Sequence, residues 1–490
     1  MTDPQIVELT GRGRRSVEDA TVGPATSSGW GELAVVVRPV AALVAVGVFT
    51  LAPGSLEPEA RASIFAFASA VVLWSMTKLP AAWVALVSVV LLIALGGAKQ
   101  EALFGAMSSD VVWLMIGAFV LGGAVQVSGL AARLTRLAAG RRTTVSGVLW
   151  RVTLLLLPLS LLIPSTSGRA AVMLPVFRSL SRTSSDRSVV RALSLLIPTV
   201  ILVSTICTLV GAGSHLVAND LLEQVSGERI SFARWALYGA PFGVAASAIA
   251  CWIIQRLFLS RDTRSTLLSL PSVEPKPLSG RERRTLLVIA GMVGLWATES
   301  MHGIEIAFVA VVGAVMLTMP KAGVMSWKDG VSAVSWNLVV FVGAALVLGE
   351  ALIETGAAQW IIERVFSASG IAEAESPFLI LIILALLTLT SHVYMTSHAA
   401  RAAALVPAVL FLGQSLDLDP VAVMFIATVG MDYCLTFAVS SKALLLYSEL
   451  DEDTFEPPDL LRLSAVLLVA HVALMITFYY GYWRYVGLEL

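Results

Sequence analysis

Several long stretches of the sequence carry almost no charge. Clear examples are residues 81–98, 111–130, 235–254 and 463–483. Stretches of about 18 apolar residues can cross a bilayer as helices, whereas a membrane β-barrel would need short alternating segments. The composition agrees, because 57% of the 490 residues are hydrophobic and 14% are charged, against about 25% charged in soluble domains. The sequence therefore predicts an all-α polytopic membrane protein.

Basic residues predict which loops face the cytoplasm, because Lys and Arg accumulate in cytoplasmic loops. Arginines in the polar first thirty residues predict a cytoplasmic N-terminus, and the absence of an apolar core there argues against a signal peptide. Counting from that end predicts about eleven spans in a multi-pass protein of the inner (plasma) membrane. The acidic loop ELDEDTFEPPD, residues 449–459, is predicted to be cytoplasmic without support from the charge pattern.

Two apolar segments, 145–180 and 377–413, are interrupted by polar residues that precede an arginine. PSTSG leads into Arg169, MTSHAA leads into Arg401, and a proline follows six positions after each arginine. Arginines flank the first segment on both sides, so both of its ends are predicted to be cytoplasmic, and the acidic flanks of the second predict the opposite face. Each segment is therefore predicted to be a re-entrant hairpin. Irregular backbone at membrane depth is tolerated only within protein or beside water, which makes both tips candidate sites.

The layout is duplicated along the chain. A similar helix precedes each hairpin, and an interrupted span follows each one, at 188–224 and 419–446. Two such units of opposite orientation are typical of secondary transporters, whose sites lie near the bilayer midplane. The predicted organisation is a polar cytoplasmic tail (1–30), scaffold helices (31–109), a first repeat (110–260), a cytoplasmic linker (261–284), scaffold helices (285–335) and a second repeat (336–490).

These motifs resemble the divalent anion/sodium symporter family, which carries dicarboxylates, citrate and sulfate. The family's Ser-Asn-Thr tip is replaced by Ser165-Thr166-Ser167, with Pro175 ten positions on, and by Ser397-His398-Ala399, with Pro407 ten positions on. The stretch DVVWLMIGAFVLGGAVQVSGL also resembles the family's helix before the first hairpin. The resemblance implies a homodimer, with a scaffold domain and a mobile transport domain that works by an elevator motion.

The chain departs from the family pattern at both tips and at both interrupted spans. The tips lack the family's asparagine, and Arg169 and Arg401 stand where the family has threonine. The interrupted spans read GAGSH (Gly211–His215) and SSKAL (Ser440–Leu444) instead of Gly-Thr-Pro-Pro-Asn. The resemblance implies sodium sites built from these loops and tips, to which Thr208, Gly211, Ser165 and Ser397 could contribute. Coupling to sodium, to a proton carried by His215 or His398, or to no cation stays open.

The tips suit an anionic substrate, because guanidinium groups match carboxylate or sulfate oxygens and hydroxyls add neutral donors. The residues predicted to bind substrate are Ser165, Thr166, Ser167, Arg169, Thr396, Ser397, His398 and Arg401. The candidates for ion or proton coupling are Thr208, Gly211, His215, Ser440, Ser441 and Lys442. Two alternatives stay open for the arginines, which could pair with Asp110, Asp220, Glu350 or Asp432, or could replace sodium. Lys442 is either a further anion contact or a surface lysine.

Composition and motifs also exclude function classes. A net charge of −1 gives no reason to expect nucleic-acid binding. No HExxH motif or histidine-rich span is present, so we expect neither an enzyme nor a metal or other cofactor, and the three cysteines are interpreted as small core residues. The predicted function is secondary active transport of small divalent anions in a lipid bilayer. Alternatives are an exchanger, antiporter or oxyanion permease, and more remotely a non-transporting anion sensor.

Overall fold

A computed structural model describes residues 29–51, 56–130, 133, 143–163, 165–184, 186–268, 277–358, 360–361 and 376–490. Apart from residues 29 and 30, with which the first helix begins, the predicted tail lies outside this part of the chain, as do Arg136, Arg141, Arg142 and Pro164. The helices of the first half are α1 Gly29–Leu51, α2 Pro58–Met76, α3 Ala81–Ala94, α4 Gln100–Gly105, α5 Asp110–Ser128, α6 Val145–Leu162, α7 Thr166–Ser181, α8 Arg187–Val203, α9 Gly213–Ser226, α10 Phe232–Phe258 and α11 Arg261–Ser265.

The second half continues in the same way. Its helices are α12 Gly280–Ala297, α13 Glu299–His302, α14 Ile306–Thr318, α15 Trp327–Ser332, α16 Trp336–Glu354, α17 Pro377–Thr390, α18 His398–Ser415, α19 Pro420–Met431, α20 Lys442–Ser448 and α21 Pro457–Gly481. The prediction of an all-α membrane protein is confirmed. One minor addition is an antiparallel pair of two-residue strands, β1 Thr143–Thr144 and β2 Leu267–Leu268.

Within the described residues, six helices are long and apolar enough to cross a membrane. They are α2, α5, α8 with its following turn, α10, α16 and α21. Shorter apolar helices accompany them, among them α6, α17 and α19. The helix α8 is buried along nearly all of its length, so it lies inside the bundle. The predicted number of eleven spans stays a prediction.

Both segments predicted to be hairpins contain two helices joined by a short turn. The first consists of α6 and α7, which meet at residues 163–165, and the second consists of α17 and α18, which meet at 391–397. Serine caps the second helix of each, because Ser165 Oγ accepts from Gly168 N at 3.1 Å and Ser397 Oγ accepts from Ala400 N at 3.3 Å. A serine at this position satisfies a backbone N–H that has no partner within the helix. The polar residues therefore interrupt each apolar segment.

Both interrupted spans also contain a break. Two 3-10 turns, Thr205–Cys207 and Leu209–Gly211, separate α8 from α9. Irregular backbone from Asp432, followed by a 3-10 turn, separates α19 from α20. We call residues 204–212 the first break and residues 432–441 the second break. Hydroxyl and glycine residues at these positions allow the backbone to leave the helix.

The two halves of the chain pack across each other. The helix α18 of the second hairpin packs on α9, which follows the first break, and α7 of the first hairpin packs on α20, which follows the second break. In the latter contact, Tyr447 Oη donates to the carbonyl of Ala170 at 3.2 Å, and the rings of Phe177 and Tyr447 lie 5.3 Å apart. Each hairpin therefore contacts the broken helix of the other half.

Helices outside the hairpins and breaks also pack along one another. Helix α5 packs closely along α14, and α3 packs along α16. Helices α5 and α14 approach closely at Gly117, where a Cβ atom would lie 2.7 Å from the backbone of Ala310. Small residues at such crossings allow helices without a strong hydrophobic driving force to approach closely.

The acidic loop 449–459 lies against arginines that follow the first hairpin. Glu452 pairs with Arg178 at 3.3 Å, and Asp453 pairs with Arg187 at 2.9 Å. Asp459, in the first turn of α21, pairs with Arg191 at 3.4 Å. The loop and the arginines therefore lie at the same end of the bundle, and the arginines supply the positive charge that the loop itself lacks.

Candidate functional site

The turn of the first hairpin presents three hydroxyls. Ser165 Oγ caps α7 and lies 3.1 Å from Ser167 Oγ. Ser165, Thr166 and Ser167 are half-buried. A small molecule at the turn can therefore reach these three hydroxyls. The buried residues of the following helix are not accessible to it.

Arg169 lies one turn further along α7 and is fully buried. Its Nη2 donates to the carbonyl oxygen of Gly211 in the first break, at 2.9 Å. Within the described part of the chain, its Nε and Nη1 have no hydrogen-bond partner. A side chain at Gly211 would not fit, because a Cβ atom would lie 2.1 Å from the carbonyl oxygen of Thr205. The tight backbone of the first break therefore places the Gly211 carbonyl within hydrogen-bonding distance of the Arg169 guanidinium.

Arg401 occupies the equivalent position on α18 and is also fully buried. Its Nη2 donates to Cys434 Sγ in the second break, and His398 Nε2 lies 3.2 Å from the same sulfur. The Nε and Nη1 atoms of Arg401 have no hydrogen-bond partner among the described residues. Thr396 is exposed and Ser397 is half-buried at the turn. Each hairpin therefore anchors a buried guanidinium at one break.

A histidine and a carboxylate join the two breaks to each other. His215 Nε2 lies 2.8 Å from Asp432 Oδ2, and its Nδ1 lies 3.1 Å from the carbonyl oxygen of Thr208. Thr205 Oγ1 donates to the same carboxylate oxygen at 3.1 Å. Both ring nitrogens of His215 face acceptors, and the doubly protonated imidazolium is the form that donates from both. The two side chains are therefore in direct contact, and this contact adds no unpaired positive charge to the region.

The polar contacts form a series through the core that is completed by short stretches of backbone. Arg169 of the first hairpin contacts Gly211 of the first break, and His215, at the start of α9, contacts Asp432 of the second break. Cys434 of the second break contacts Arg401 and His398 of the second hairpin. Four segments that the sequence predicted to carry sites thus meet in one region. No three His, Cys, Asp or Glu side chains gather around a common point in the described residues.

Other predicted residues lie at the edges of this region. Thr208 is buried, and its Oγ1 has no partner. Ser440 Oγ accepts from Phe437 N at 3.3 Å, and Ser441 Oγ accepts from Ala443 N at 3.2 Å, so both hydroxyls stabilise the backbone of the second break. Lys442 is exposed at the start of α20, which favours the interpretation as a surface lysine.

The acids proposed as partners for the arginines are occupied elsewhere. Asp110 pairs with Arg229 at 2.8 Å, Asp220 accepts from Gln224 at 2.8 Å, and Glu350 is exposed. In the described part of the chain, neither Arg169 nor Arg401 forms a salt bridge with a carboxylate. The guanidinium charges are therefore not neutralised by direct pairing.

Sequence reasoning missed the parts played by Cys434 and Thr205. Cys434 is buried, as expected for a small core residue, but its sulfur also accepts from Arg401. The signal that could have identified it is its position in the interrupted stretch DYCLTF, two residues after Asp432. A cysteine facing a guanidinium looks the same in sequence as one packed among apolar side chains.

A large cavity of about 1110 Å³ lies apart from both turns. Its walls come from α2, α4, α9 and α16 and from the residues beside them, and seven carboxylates line it with a single lysine, Lys99. These carboxylates belong to Glu57, Glu59, Glu101, Asp220, Glu223, Glu350 and Glu354. Such a surface repels anions, so the anion site is better sought at the turns.

Comparisons with known proteins identify the family of the chain. The family described as "Sodium:sulfate symporter transmembrane region" matches residues 32–488. A "Membrane protein" of Cupriavidus necator is 29% identical over 399 residues, which are 78% of this chain and 76% of that protein. The citrate/succinate antiporter of Escherichia coli K12 is 24% identical over 477 residues, covering 89% of this chain and 95% of the relative. The L-tartrate/succinate antiporter of the same strain is 24% identical over 391 residues, covering 76% and 78%.

A solved structure is similar in fold. The YdaH transporter of Alcanivorax borkumensis superposes with a TM-score of 0.56 at 13% sequence identity, over 79% of this chain and 90% of that one. At this identity the likeness concerns the fold alone, which is that of a membrane transporter.

Proposed function

The chain belongs to the sodium:sulfate symporter transmembrane family, and from that premise we propose that it exchanges small divalent anions across the membrane without sodium. It is a multi-pass membrane transporter of divalent anions and not an enzyme. Relatives named as citrate/succinate and L-tartrate/succinate antiporters support dicarboxylates as substrates and exchange as the mode of transport.

The charge of the buried contact series carries the proposal. Arg169 and Arg401 each contribute one positive charge, and the contact of His215 with Asp432 adds no further unpaired positive charge. An arginine at mid-bilayer costs at least ~2.5–3.5 kcal/mol unless a counter-charge or water compensates it. A dianion at the two turns would compensate both. A transporter whose binding site moves between the two sides of the membrane more easily with an anion bound than empty favours exchange over uniport.

The contacts beside the first hairpin support the proposal that no sodium ion binds there. The carbonyl of Gly211, which the family resemblance implies as a sodium ligand, already accepts from the Arg169 guanidinium at 2.9 Å. A second cation at this carbonyl would meet a fixed positive charge in a buried site, where repulsion is strong. The arginine therefore supplies permanently the charge that a coupled sodium ion would bring.

We assign the direct contacts with substrate to the turns of the two hairpins. Ser165, Thr166, Ser167, Thr396 and Ser397 present hydroxyls there, and α7 and α18 begin at these turns. Helix N-termini offer backbone N–H groups and the positive end of the helix dipole to anions. The buried arginines contribute mainly through charge, from behind the turns.

The elevator motion and the homodimer follow from the family resemblance and form part of the proposal. The hairpins would move as one body with the broken helices, since each hairpin packs on the broken helix of the other half. The helix pairs α5–α14 and α3–α16 join this body to the scaffold. The two halves would be repeats of opposite orientation, with the N-terminus in the cytoplasm.

Counterflow in proteoliposomes tests the function. Liposomes preloaded with unlabelled succinate should take up labelled succinate rapidly, and empty liposomes should not. Replacing sodium by potassium, or removing a pH gradient, should leave the rate unchanged. Citrate, L-tartrate and sulfate as internal anions define the substrate range. Uptake that requires a sodium gradient and ignores internal anion would contradict exchange, and no uptake of any anion would favour a sensor.

Arg401→Ala provides the site-directed part of the test. We expect its counterflow to fall on the order of tenfold or more, because the bound anion then loses one of the two buried positive charges that compensate it. The exposed Arg283, which precedes the apolar part of α12, provides the matched control. Arg283→Ala should exchange as fast as the wild type. Equal rates for Arg401→Ala and the wild type would remove this arginine from the site.

A further inference from the structure

A basic cavity of about 420 Å³ lies where α10 ends. Its lining consists of Thr144, Arg256, Arg261, Arg264 and Ser265. Arg256 is in the last turn of α10, and Arg261 and Arg264 stand three residues apart on α11, a spacing that places side chains on the same side of a helix. Among the residues that the structure describes, the lining therefore carries three positive charges and no carboxylate.

The three guanidinium groups keep most of their donors free. Arg264 Nε donates to the carbonyl of Ser260 at 3.3 Å, and the Arg256 guanidinium lies 5.4 Å from the centroid of the Trp252 ring. Across the described residues, none of the three forms a salt bridge. Asp262 lies between two of them in sequence but does not line the cavity. Three unpaired arginines around one cavity favour an anionic ligand.

Exposed apolar side chains place the cavity at the membrane surface. Trp252, one turn before Arg256, is 54% exposed, and Leu267 beside Thr144 in the small sheet is 68% exposed. Tryptophan is enriched at the level of lipid headgroups, and arginines near helix ends extend toward that level. Since α10 is long enough to cross the bilayer, the cavity lies where headgroup phosphates are found.

We propose that this cavity binds a phosphate group, carried by an anionic phospholipid or by a soluble phosphate ester. Guanidinium groups donate pairs of hydrogen bonds that match phosphate oxygens. The ligand would also join the start of the first hairpin to the end of α10. Thr144 Oγ1 accepts from Gly147 N at 3.1 Å at the start of α6, and Val145 N donates to the carbonyl of Thr266 at 3.0 Å. The site is independent of the proposed transport activity.

Lipid titration of the purified full-length chain, followed by native mass spectrometry, tests the proposal. Phosphatidylglycerol, phosphatidylcholine and glycerol 3-phosphate are the three probes. Arg261→Gln/Arg264→Gln should bind phosphatidylglycerol on the order of tenfold more weakly than the wild type. Arg281→Gln/Arg283→Gln removes two exposed arginines of the same linker and should bind as the wild type does. Arg261→Lys/Arg264→Lys, which keeps both charges, should retain most of the affinity and controls for misfolding.

The probes also separate the two sources of phosphate. Selective binding of phosphatidylglycerol over phosphatidylcholine, lost in the glutamine variant, supports a lipid headgroup. Binding of glycerol 3-phosphate with the same dependence on the two arginines supports a soluble ester. Equal affinity of both glutamine variants for phosphatidylglycerol and for glycerol 3-phosphate would overturn the proposal.

Discussion

Asp432 brings a carboxylate into the core, where apolar side chains surround a few buried polar groups. It is 3% exposed, and its Oδ2 accepts from both His215 and Thr205 while its Oδ1 has no partner. Breaking a buried ion pair by removing one member is strongly destabilising, because the other charge stays buried without compensation. The pair therefore holds the first break against the second at a defined distance.

His215→Ala tests this role. We expect a loss of about 3–5 kcal/mol in stability, seen as a lower apparent melting temperature of the detergent-solubilised protein. His215→Ala/Asp432→Asn should recover part of the loss, because the buried charge is then gone. The exposed His302 gives the control substitution, His302→Ala, which should leave the melting temperature unchanged. A His215→Ala variant as stable as the control would mean that the pair contributes nothing.

The residues of the site differ in how well sequence predicts them. Arg169, Arg401 and the turn serines could be predicted, because a permanent charge and hydroxyls interrupt long apolar segments. The contact of His215 with Asp432 could not, since the two residues are 217 positions apart and no periodicity relates them. Cys434 and Thr205 have side chains that suit an apolar core equally well.

At the scale of elements, the acidic loop 449–459 lies beside basic residues that the sequence of the loop alone does not reveal. Its carboxylates pair with Arg178, Arg187 and Arg191, which follow the first hairpin. A loop that pairs with basic residues of a neighbouring element does not need its own lysines or arginines. Charge patterns read along one loop miss such pairing, because it depends on the packing of α7 and α8 against α20 and α21.

Reversal of one of these pairs tests the contact. Arg178→Glu and Glu452→Arg should each reduce stability by up to about 1 kcal/mol, since partly exposed pairs contribute little. The double reversal should recover most of the loss, and high salt should diminish all three differences. Melting temperatures of the four proteins at two salt concentrations form the double-mutant cycle. A double variant as unstable as the sum of the singles would show that the residues do not interact.

The end of α5 and the start of α12 are joined by Arg133 and Glu282. Glu282 lies in the predicted linker, ahead of the apolar part of its helix. Hydrogen bonding from Arg133, whose Nε lies 3.1 Å from Oε1, and from Ser279 lowers the pKa of Glu282 to about 2. Because the unfolded chain has the higher pKa, about 4.3, it binds more protons between these values. The contribution to stability is complete above about pH 4.3 and is lost as the pH falls toward 2.

Glu282→Gln should therefore lower the melting temperature at pH 6 and have a smaller effect at pH 3. The measurement is the difference between wild type and variant across that range in one detergent. Glu305→Gln, at the exposed N-cap of α14, is the control. A difference that stays constant with pH would show that ionisation of Glu282 does not contribute.

At the scale of the whole molecule, the all-α membrane fold and the family were predictable from sequence. Long uncharged segments determine the helices, and polar interruptions mark where they break. The packing of α18 on α9 and of α7 on α20 was not predictable, because it depends on which helix surfaces meet. The domain boundaries, the inverted orientation and the dimer stay predictions.

The central claim is that a fixed guanidinium replaces a coupled cation. The most direct test measures succinate counterflow by Arg169→Ala in sodium and in potassium. The wild type and Arg169→Lys are measured under the same two conditions. We predict that the wild type exchanges equally in both salts, that Arg169→Ala is slow in potassium, and that sodium restores part of its rate. Arg169→Ala exchanging at the wild-type rate in potassium would contradict the claim.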